Sequence, residues 1–475
     1  MKKVLNEILI KTEYIKDILE FSKISLGNEC IITFNDLLFK FKINERFLFE
    51  KSLIEESRNN IKYYYRNEAN IEYYNIKRKD ILKIIYYAIL FTNGDLGLSN
   101  ITSNIHILGN MLNFSNLKHS AHNNAKYDCI NSYFITLKNL FYEDFNIYNI
   151  IMNQYVTFSK RRIDTIFFID KFKDISLSQD IIINMVEIEK HHDAIQADFA
   201  NKYIGGGVLH NGCVQEEIRF VISPECLISK IFFPDSMKPN EAIFIDKTRI
   251  YSNYTGYSNS FRYNGENPDY LSRTDTIVAF DAQEYSCRKF PCNYHKHNHN
   301  INCQGIGCIK DHRHQKIINM QYNALEINIE INKCIAAFHK LNEADDKYIA
   351  TGMWGCGAFN GDPKLKFYIQ WIAASICDRK LYYSCFGKEK EYNELHHQFN
   401  TYKNLNINDL YNIAISMYKT SVNSSARLKV FQVATTSRTC GVDGCTKCKP
   451  GKLHYCRKCK KTGVTHFSHK CPNPL

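Results

Sequence analysis

The sequence predicts an α/β protein with a three-layer core, an N-terminal helical accessory domain and a small C-terminal zinc-binding tail. Three observations carry this. Residues 1–155 hold apolar side chains at helical spacing. From about residue 156, short apolar runs alternate with helical stretches, the grammar of a sheet covered by helices. Residues 440–471 concentrate Cys, His and Lys. At 475 residues the chain exceeds what one core needs, so two or more domains are expected: 1–155, 156–435 and 436–475.

Composition narrows the class. Hydrophobic residues make up 44% of the chain, ordinary for a globular protein, and the net charge is +12, which favours polyanionic partners. Asn, Ile, Lys and Tyr are heavily used, so single Lys or Asn residues carry little functional signal. The N-terminus, MKKVLNEILIKTEY, has its apolar run broken by Asn6 and Glu7 and does not read as a signal peptide. No uncharged apolar stretch is long enough to span a bilayer, so no membrane partner is expected. With 18 cysteines and no signal peptide, thiols or zinc sites in a reducing compartment fit better than disulfides. The expectation is a soluble intracellular protein, nucleus or cytoplasm undecided.

Individual elements follow. Ile81, Ile84, Ile85, Ala88 and Ile89 recur at helical spacing, as do Cys129, Tyr133, Phe134 and Leu137. No catalytic constellation stands out there, and a helical support is the reading. Downstream, IQADFA (195–200), EAIFID (241–246), DTIVAFDA (275–282), KYIATG (347–352) and KLYYSCFG (380–387) read as strands. Asp362 and Pro363 open a helix whose apolar face is Leu365, Tyr368, Ile369, Ile372, Ala373 and Ile376.

The segment ADFANKYIGGGVLHNGCVQEEIRF (197–220) carries the chemistry. Gly205, Gly206 and Gly207 follow a strand and let the backbone approach a ligand with its amides turned outward. A helix begins near Gln215, and amides plus a helix N-terminus suit a diphosphate. Glu216 and Glu217 fall in its first turn, about 100° apart. They are therefore not placed to face each other across a bond as paired glycosidase carboxylates do. One is expected to transfer the proton and the other to hold a ribose. The helix dipole favours their ionised forms, whereas a closed pocket and the neighbouring like charge oppose them.

Three glycines, seven residues and then QEE resemble the signature of poly(ADP-ribose) glycohydrolases. The blocks VTFSK (156–160), ADFAN (197–201), QEEIRFVISPECLISKIF (215–232), YSNYTGY (251–257), DTIVAFDA (275–282) and TGMWGCGAFNGDPKLKFYIQWIAA (351–374) extend the likeness over about 156–390. The resemblance implies a macrodomain with a helical accessory domain, hydrolysing poly(ADP-ribose) without a catalytic cofactor. It implies Glu217 as acid/base through an oxocarbenium-like transition state, and Glu216 on a ribose hydroxyl. Asp198 and Asn201 match the active-site strand, with Gln215 beside them in the substrate site. It implies the Gly205–Gly207 loop as diphosphate cradle and Gly355, Cys356, Gly357, Ala358 and Phe359 as the second phosphate turn. Tyr257 and Phe386 match an aromatic clamp on adenine, with core packing as their alternative. The acidic residue that reads the adenine edge has no settled register: Glu187, Glu189 or neither serves.

Two Cys/His clusters remain. In the tail, Cys445 and Cys448 form one C-x2-C pair and Cys456 and Cys459 another, with Cys440, His466, His469 and Cys471 around them. Such pairs bind structural zinc through thiolates. The tail's lysines suit poly(ADP-ribose), nucleic acid or a protein. The looser cluster at 287–314 reads as an insertion. Expected partners are poly(ADP-ribose) and ADP-ribosylated proteins. One rival reading is a macrodomain that binds ADP-ribose without cutting, against which Glu216 and Glu217 argue. Another is a zinc protein that chiefly binds nucleic acid.

Overall fold

A computed structural model describes residues 69–93, 112–114, 117, 121–163, 167–286, 318–341, 345–417, 454–456 and 461–464. The chain divides into two compact units, Met1–Asn412 and Ile413–Leu475. The first contains strands β1 (Ala69–Lys77), β2 (Tyr155–Ile163), β3 (Ile181–Asn184), β4 (Ile195–Ala200), β5 (Glu241–Thr248), β6 (Ser252–Thr255), β7 (Arg262–Glu266), β8 (Asp275–Asp281), β9 (Ile349–Gly352) and β10 (Leu381–Ser384). Its longer helices are α1 (Arg78–Asn93), α2 (Ala121–Glu143), α3 (Phe145–Met152), α4 (Gln215–Ile222), α5 (Ala324–Phe338), α6 (Pro363–Ile376) and α7 (Glu389–Tyr402). In the second unit, β11 (His454–Cys456) pairs antiparallel with β12 (Lys461–Val464).

Eight strands of the first unit form one mixed sheet in the order β1-β2-β5-β8-β4-β9-β10-β3. Pairing is antiparallel from β1 through β8 and parallel from β8 through β3. Alternation along each strand sends neighbouring side chains to opposite layers. In β8, Ile277 and Ala279 join a core shared with α1, α2 and α4. Phe280 instead meets Phe338 of α5 and the Trp354 ring. Both faces of the central strands are therefore covered, which is why β5 and β8 read as continuous apolar runs.

The five expected strands and the helix opened by Asp362 are present, and the Asp362 carboxylate accepts from the Leu365 amide as its N-cap. Of the region 1–155 expected to be mostly helical, residues 1–68 lie outside the described residues, and the described part begins with a strand. Ala69–Lys77 is a strand, in register with β2 over nine residue pairs. Its inward positions include Tyr74 and Ile76, both buried. Glu72 occupies the same alternating face and masks the period in the sequence. The helices α1, α2 and α3 follow, and at the start of α1 a buried ion pair joins Arg78 Nε to Glu225 Oε1 at 2.8 Å.

Among the described residues no helix is long and apolar enough to cross a membrane, and no group of three or more ligating side chains is assembled for a metal. The 287–314 cluster and the tail's candidate ligands Cys440, Cys445, Cys448, Cys459, His466, His469 and Cys471 lie outside the described residues. Cys456 belongs to β11, whose side chains are not described.

Candidate active site

The site forms where two parallel strands part. β4 pairs with β9 only at Ile195 and Gln196, while it follows β8 for all six of its residues. Past Gln196 the β9-side edge of β4 is open. Crevices at the carboxyl ends of parallel strands are the usual ligand sites of such sheets. Here the loops after β4 and β9 both carry glycines.

Gln215, at the start of α4, fills part of the open edge. Its side-chain oxygen accepts from the Phe199 amide at 2.7 Å, and its nitrogen donates to the Ala197 carbonyl at 3.0 Å. Expected as a substrate contact, it has both polar ends engaged by β4 and works as a pin between strand and helix.

Glu216 and Glu217 follow. In a helix, side chains tilt toward the N-terminus, so both of these reach back to the glycine loop. Glu216 accepts from the amides of Asn201 at 2.8 Å and Gly205 at 2.6 Å. Glu217 accepts from Gly207 at 2.9 Å and Val214 at 2.9 Å, the second contact capping its own helix. The 100° separation of adjacent positions thus does not keep the carboxylates apart. A Cβ added at Gly206 would stand 2.5 Å from Glu216 Oε2 and 2.7 Å from Glu217 Oε1. Gly206 also has a φ of +43°, in the left-handed region that favours glycine.

This corrects the direction of the loop's amides. The Gly205 and Gly207 amides face the glutamates, and the Gly206 amide donates to the Tyr203 carbonyl at 3.0 Å. All three are engaged within the chain, not turned outward to a diphosphate. The sequence reading also overlooked Gly212, where a Cβ would lie 2.5 Å from Glu217 Oε1.

Asp198 of β4 completes a cluster of three carboxyl groups. It is fully buried, and neither oxygen has a hydrogen-bond partner among the described residues. Burial, then the charge of Glu217, pushes its pKa well above the usual carboxylate range against the pull of Arg219. Glu216 is also raised well above that range, by burial first and then by Asp198 and Glu217, against its two amide bonds. Exposure increases from 0% at Asp198 to 2% at Glu216 and 6% at Glu217, all three being buried. Arg219 is held by Asp275 at 2.9 Å, which His192 also meets at 3.2 Å.

The loop after β9 is built differently. Gly355 has a φ of +72°, and a Cβ there would lie 2.5 Å from Ala282 Cβ. The Cys356 amide donates to Met353. The amides of Gly357, Ala358 and Phe359 have no protein acceptor among the described residues. Among the three glycines of the first loop every amide has a partner within the chain, whereas three successive amides of the second loop have none among the described residues.

Tyr257 and Phe386 are 53% and 58% exposed, so neither ring packs in the core. The Tyr257 hydroxyl is turned inward, where burial raises its pKa to about 12 despite a hydrogen bond from the Gln215 backbone. Of the two acidic residues before β4, Glu187 lies 3.9 Å from Lys190. Glu189 accepts from the Tyr254 hydroxyl at 3.4 Å, on the hairpin that leads to Tyr257. A cavity beside this hairpin is lined by both Glu187 and Glu189, with Tyr254, Tyr270, Arg273 and Asp275, and none of the three clustered carboxyls lines it. Asn201 contributes its amide to Glu216, while its side chain accepts from Tyr203.

Comparison with known proteins agrees with this architecture. A family model described as poly(ADP-ribose) glycohydrolase, macro domain fold, matches residues 170–304 and 296–393. Poly(ADP-ribose) glycohydrolase 1 of Arabidopsis thaliana is 37% identical over 261 residues, covering 46% of this chain and 47% of the relative. Poly(ADP-ribose) glycohydrolase 2 of Caenorhabditis elegans is 31% identical over 268 residues, covering 53% and 50%. Poly(ADP-ribose) glycohydrolase 1 of the same worm is 32% identical over 250 residues, covering 49% and 29%. The chain thus spans half or less of the length of these relatives. The stretch 170–393, with its mixed sheet and helices, is therefore similar to the macro domain fold of poly(ADP-ribose) glycohydrolases.

Proposed function

We propose that this chain hydrolyses the ribose–ribose O-glycosidic bonds of poly(ADP-ribose) and releases ADP-ribose, with Glu217 as the acid/base. The observation that carries the reading is the buried three-carboxyl cluster at the open edge of β4. One of its members, Glu217, is held by two backbone amides. Glu217 protonates the leaving ribose oxygen as positive charge develops on the sugar, then takes a proton from the attacking water. Each Glu216 oxygen takes one backbone amide, and a remaining acceptor position on it accepts from a ribose hydroxyl. Asp198 completes the cluster, and its charge or proton tunes the other two. The Gly357, Ala358 and Phe359 amides suit the diphosphate. Tyr257 and Phe386 present ring faces for adenine, and Glu189 is the better placed residue for its edge. ADP-ribosylated proteins are the proposed carriers of the polymer.

The test is incubation with poly(ADP-ribose), products being separated by length. Shortened chains with free ADP-ribose are expected. Intact polymer together with measurable ADP-ribose binding would convert the reading to a non-hydrolytic binding module. Tyr257→Ala is expected to weaken ADP-ribose binding by about 1–3 kcal/mol, the worth of one base–aromatic stack. Unchanged affinity by calorimetry would remove Tyr257 from the adenine site.

Zinc in the tail is proposed on the two C-x2-C pairs, with Cys440, His466, His469 and Cys471 as further candidate ligands. Metal analysis of the purified chain is expected to show bound zinc, lost on substitution of Cys445 and Cys448. A zinc-free chain would end this proposal. The tail's basic residues are proposed to add salt-sensitive contact with polyanions or a protein.

A further inference from the structure

Lys126 lies in the second turn of α2, far from any segment that resembles the family's site motifs. Its side chain is fully buried. Its ammonium donates to three backbone carbonyls: Val208 at 2.8 Å, His210 at 2.6 Å and Gly212 at 2.7 Å. All three belong to the connection between the glycine run and α4. An ammonium has three donors and no acceptor, so the three carbonyls satisfy it completely. One turn earlier on the same helix, Asn123 Nδ2 donates to Asn211 Oδ1 at 3.1 Å.

The opposite side of this connection faces Glu217. The Gly207 and Val214 amides at its two ends hold that carboxylate, and Gly212 packs against it closely enough to exclude a Cβ. The connection therefore lies between a cation and an anion, with carbonyls turned to one and amides to the other. A packing role alone would be filled by an apolar side chain without the cost of burying a charge. Among the described residues Lys126 has no ion pair. Burial lowers its pKa to about 8, while Cys213 of the connection and Glu217 of α4 oppose the shift, so the amine is mostly charged at neutral pH.

We propose that Lys126 is a positioning residue for the hydrolysis: a carbonyl-caged ammonium, delivered from α2, that shapes residues 207–214 and through them fixes the Glu217 carboxylate. The inference rests on the glycohydrolase reading of the same site. It makes the helical region upstream of β2 part of the catalytic apparatus.

Lys126→Met keeps the aliphatic stem and removes the donors, and Lys126→Gln keeps two donors without charge. Each full-length variant is compared with the parent for kcat and KM on poly(ADP-ribose), for ADP-ribose affinity by calorimetry, and for amide hydrogen exchange in residues 205–214. The expected result for Lys126→Met is a kcat lower by about 10²-fold, the scale set by roughly 1 Å of misplacement. KM and ADP-ribose affinity stay within a few-fold, exchange in 205–214 is faster, and Lys126→Gln falls between Met and the parent. Parental kcat in Lys126→Met overturns the inference alone. Joint loss of folding, ADP-ribose binding and kcat in both variants makes Lys126 merely structural and also overturns it. A parent chain that leaves the polymer intact overturns the glycohydrolase reading, and this inference with it.

Discussion

Glu217→Gln is expected to lower turnover of poly(ADP-ribose) by about 10²–10⁴-fold, the contribution of one general acid–base group. The structure adds a qualification to the usual isosteric argument. Both Glu217 oxygens accept backbone amides, from Gly207 and Val214. A glutamine amide turns its NH₂ toward one of them, so a donor meets a donor. Leaving such a group unpaired costs about 1–3 kcal/mol, and the variant is expected to melt at a lower temperature as well as to lose turnover. ADP-ribose affinity is expected to stay within a few-fold, because the second glycine loop and the aromatic residues are untouched. Kinetics, calorimetry and thermal melting on one preparation separate these effects. Turnover within a few-fold of the parent would reject Glu217 as the acid/base.

The second large effect concerns stability. Arg78 Nε and Glu225 Oε1 form an ion pair whose side chains are 1% and 0% exposed. Glu225 also accepts from the Tyr251 hydroxyl at 2.8 Å and from the Arg249 amide at 3.2 Å. Arg78 further donates to Gln154 and to the Lys247 carbonyl. Arg78→Met would leave Glu225 buried beside two neutral donors without its charge partner. Breaking a buried pair from one side costs about 3–5 kcal/mol, and denaturant unfolding is the direct measure. Because Arg78 opens α1 and Glu225 follows α4, the loss is expected to loosen the helical region from the sheet. A midpoint unchanged within error would mean that Glu225 is relieved by protonation or solvent, and that the pair does not hold the two regions together.

Much of the central architecture was legible. The β4 run IQADFA, the start of α4 at Gln215 and the Asp362 cap of α6 are local features. Each depends on residues within one strand or one helical turn, so period and capping chemistry suffice to place it. The glycine run and the paired glutamates were legible as a joint spacing, for the same reason. Other features were not. β1 was hidden because Glu72 interrupts its alternation and because it is stabilised by β2, about eighty residues away in the chain.

By itself, then, the sequence determined which residue types the site contains and the order in which strands and helices carry them. The tertiary structure alone decided how they are used. Only the parting of β4 from β9 past Gln196 opens the edge that Gln215 pins. Only the fold of the connection turns the Gly205 and Gly207 amides to the glutamates, while the Gly357, Ala358 and Phe359 amides have no acceptor among the described residues. And only the packing of α2 brings the Lys126 ammonium to three carbonyls more than eighty residues downstream. The physical reason is common to all three. The direction of a backbone N–H or C=O is set by the dihedrals of a loop, and those are chosen by distant partners that satisfy buried polar groups, which no local pattern of side chains encodes.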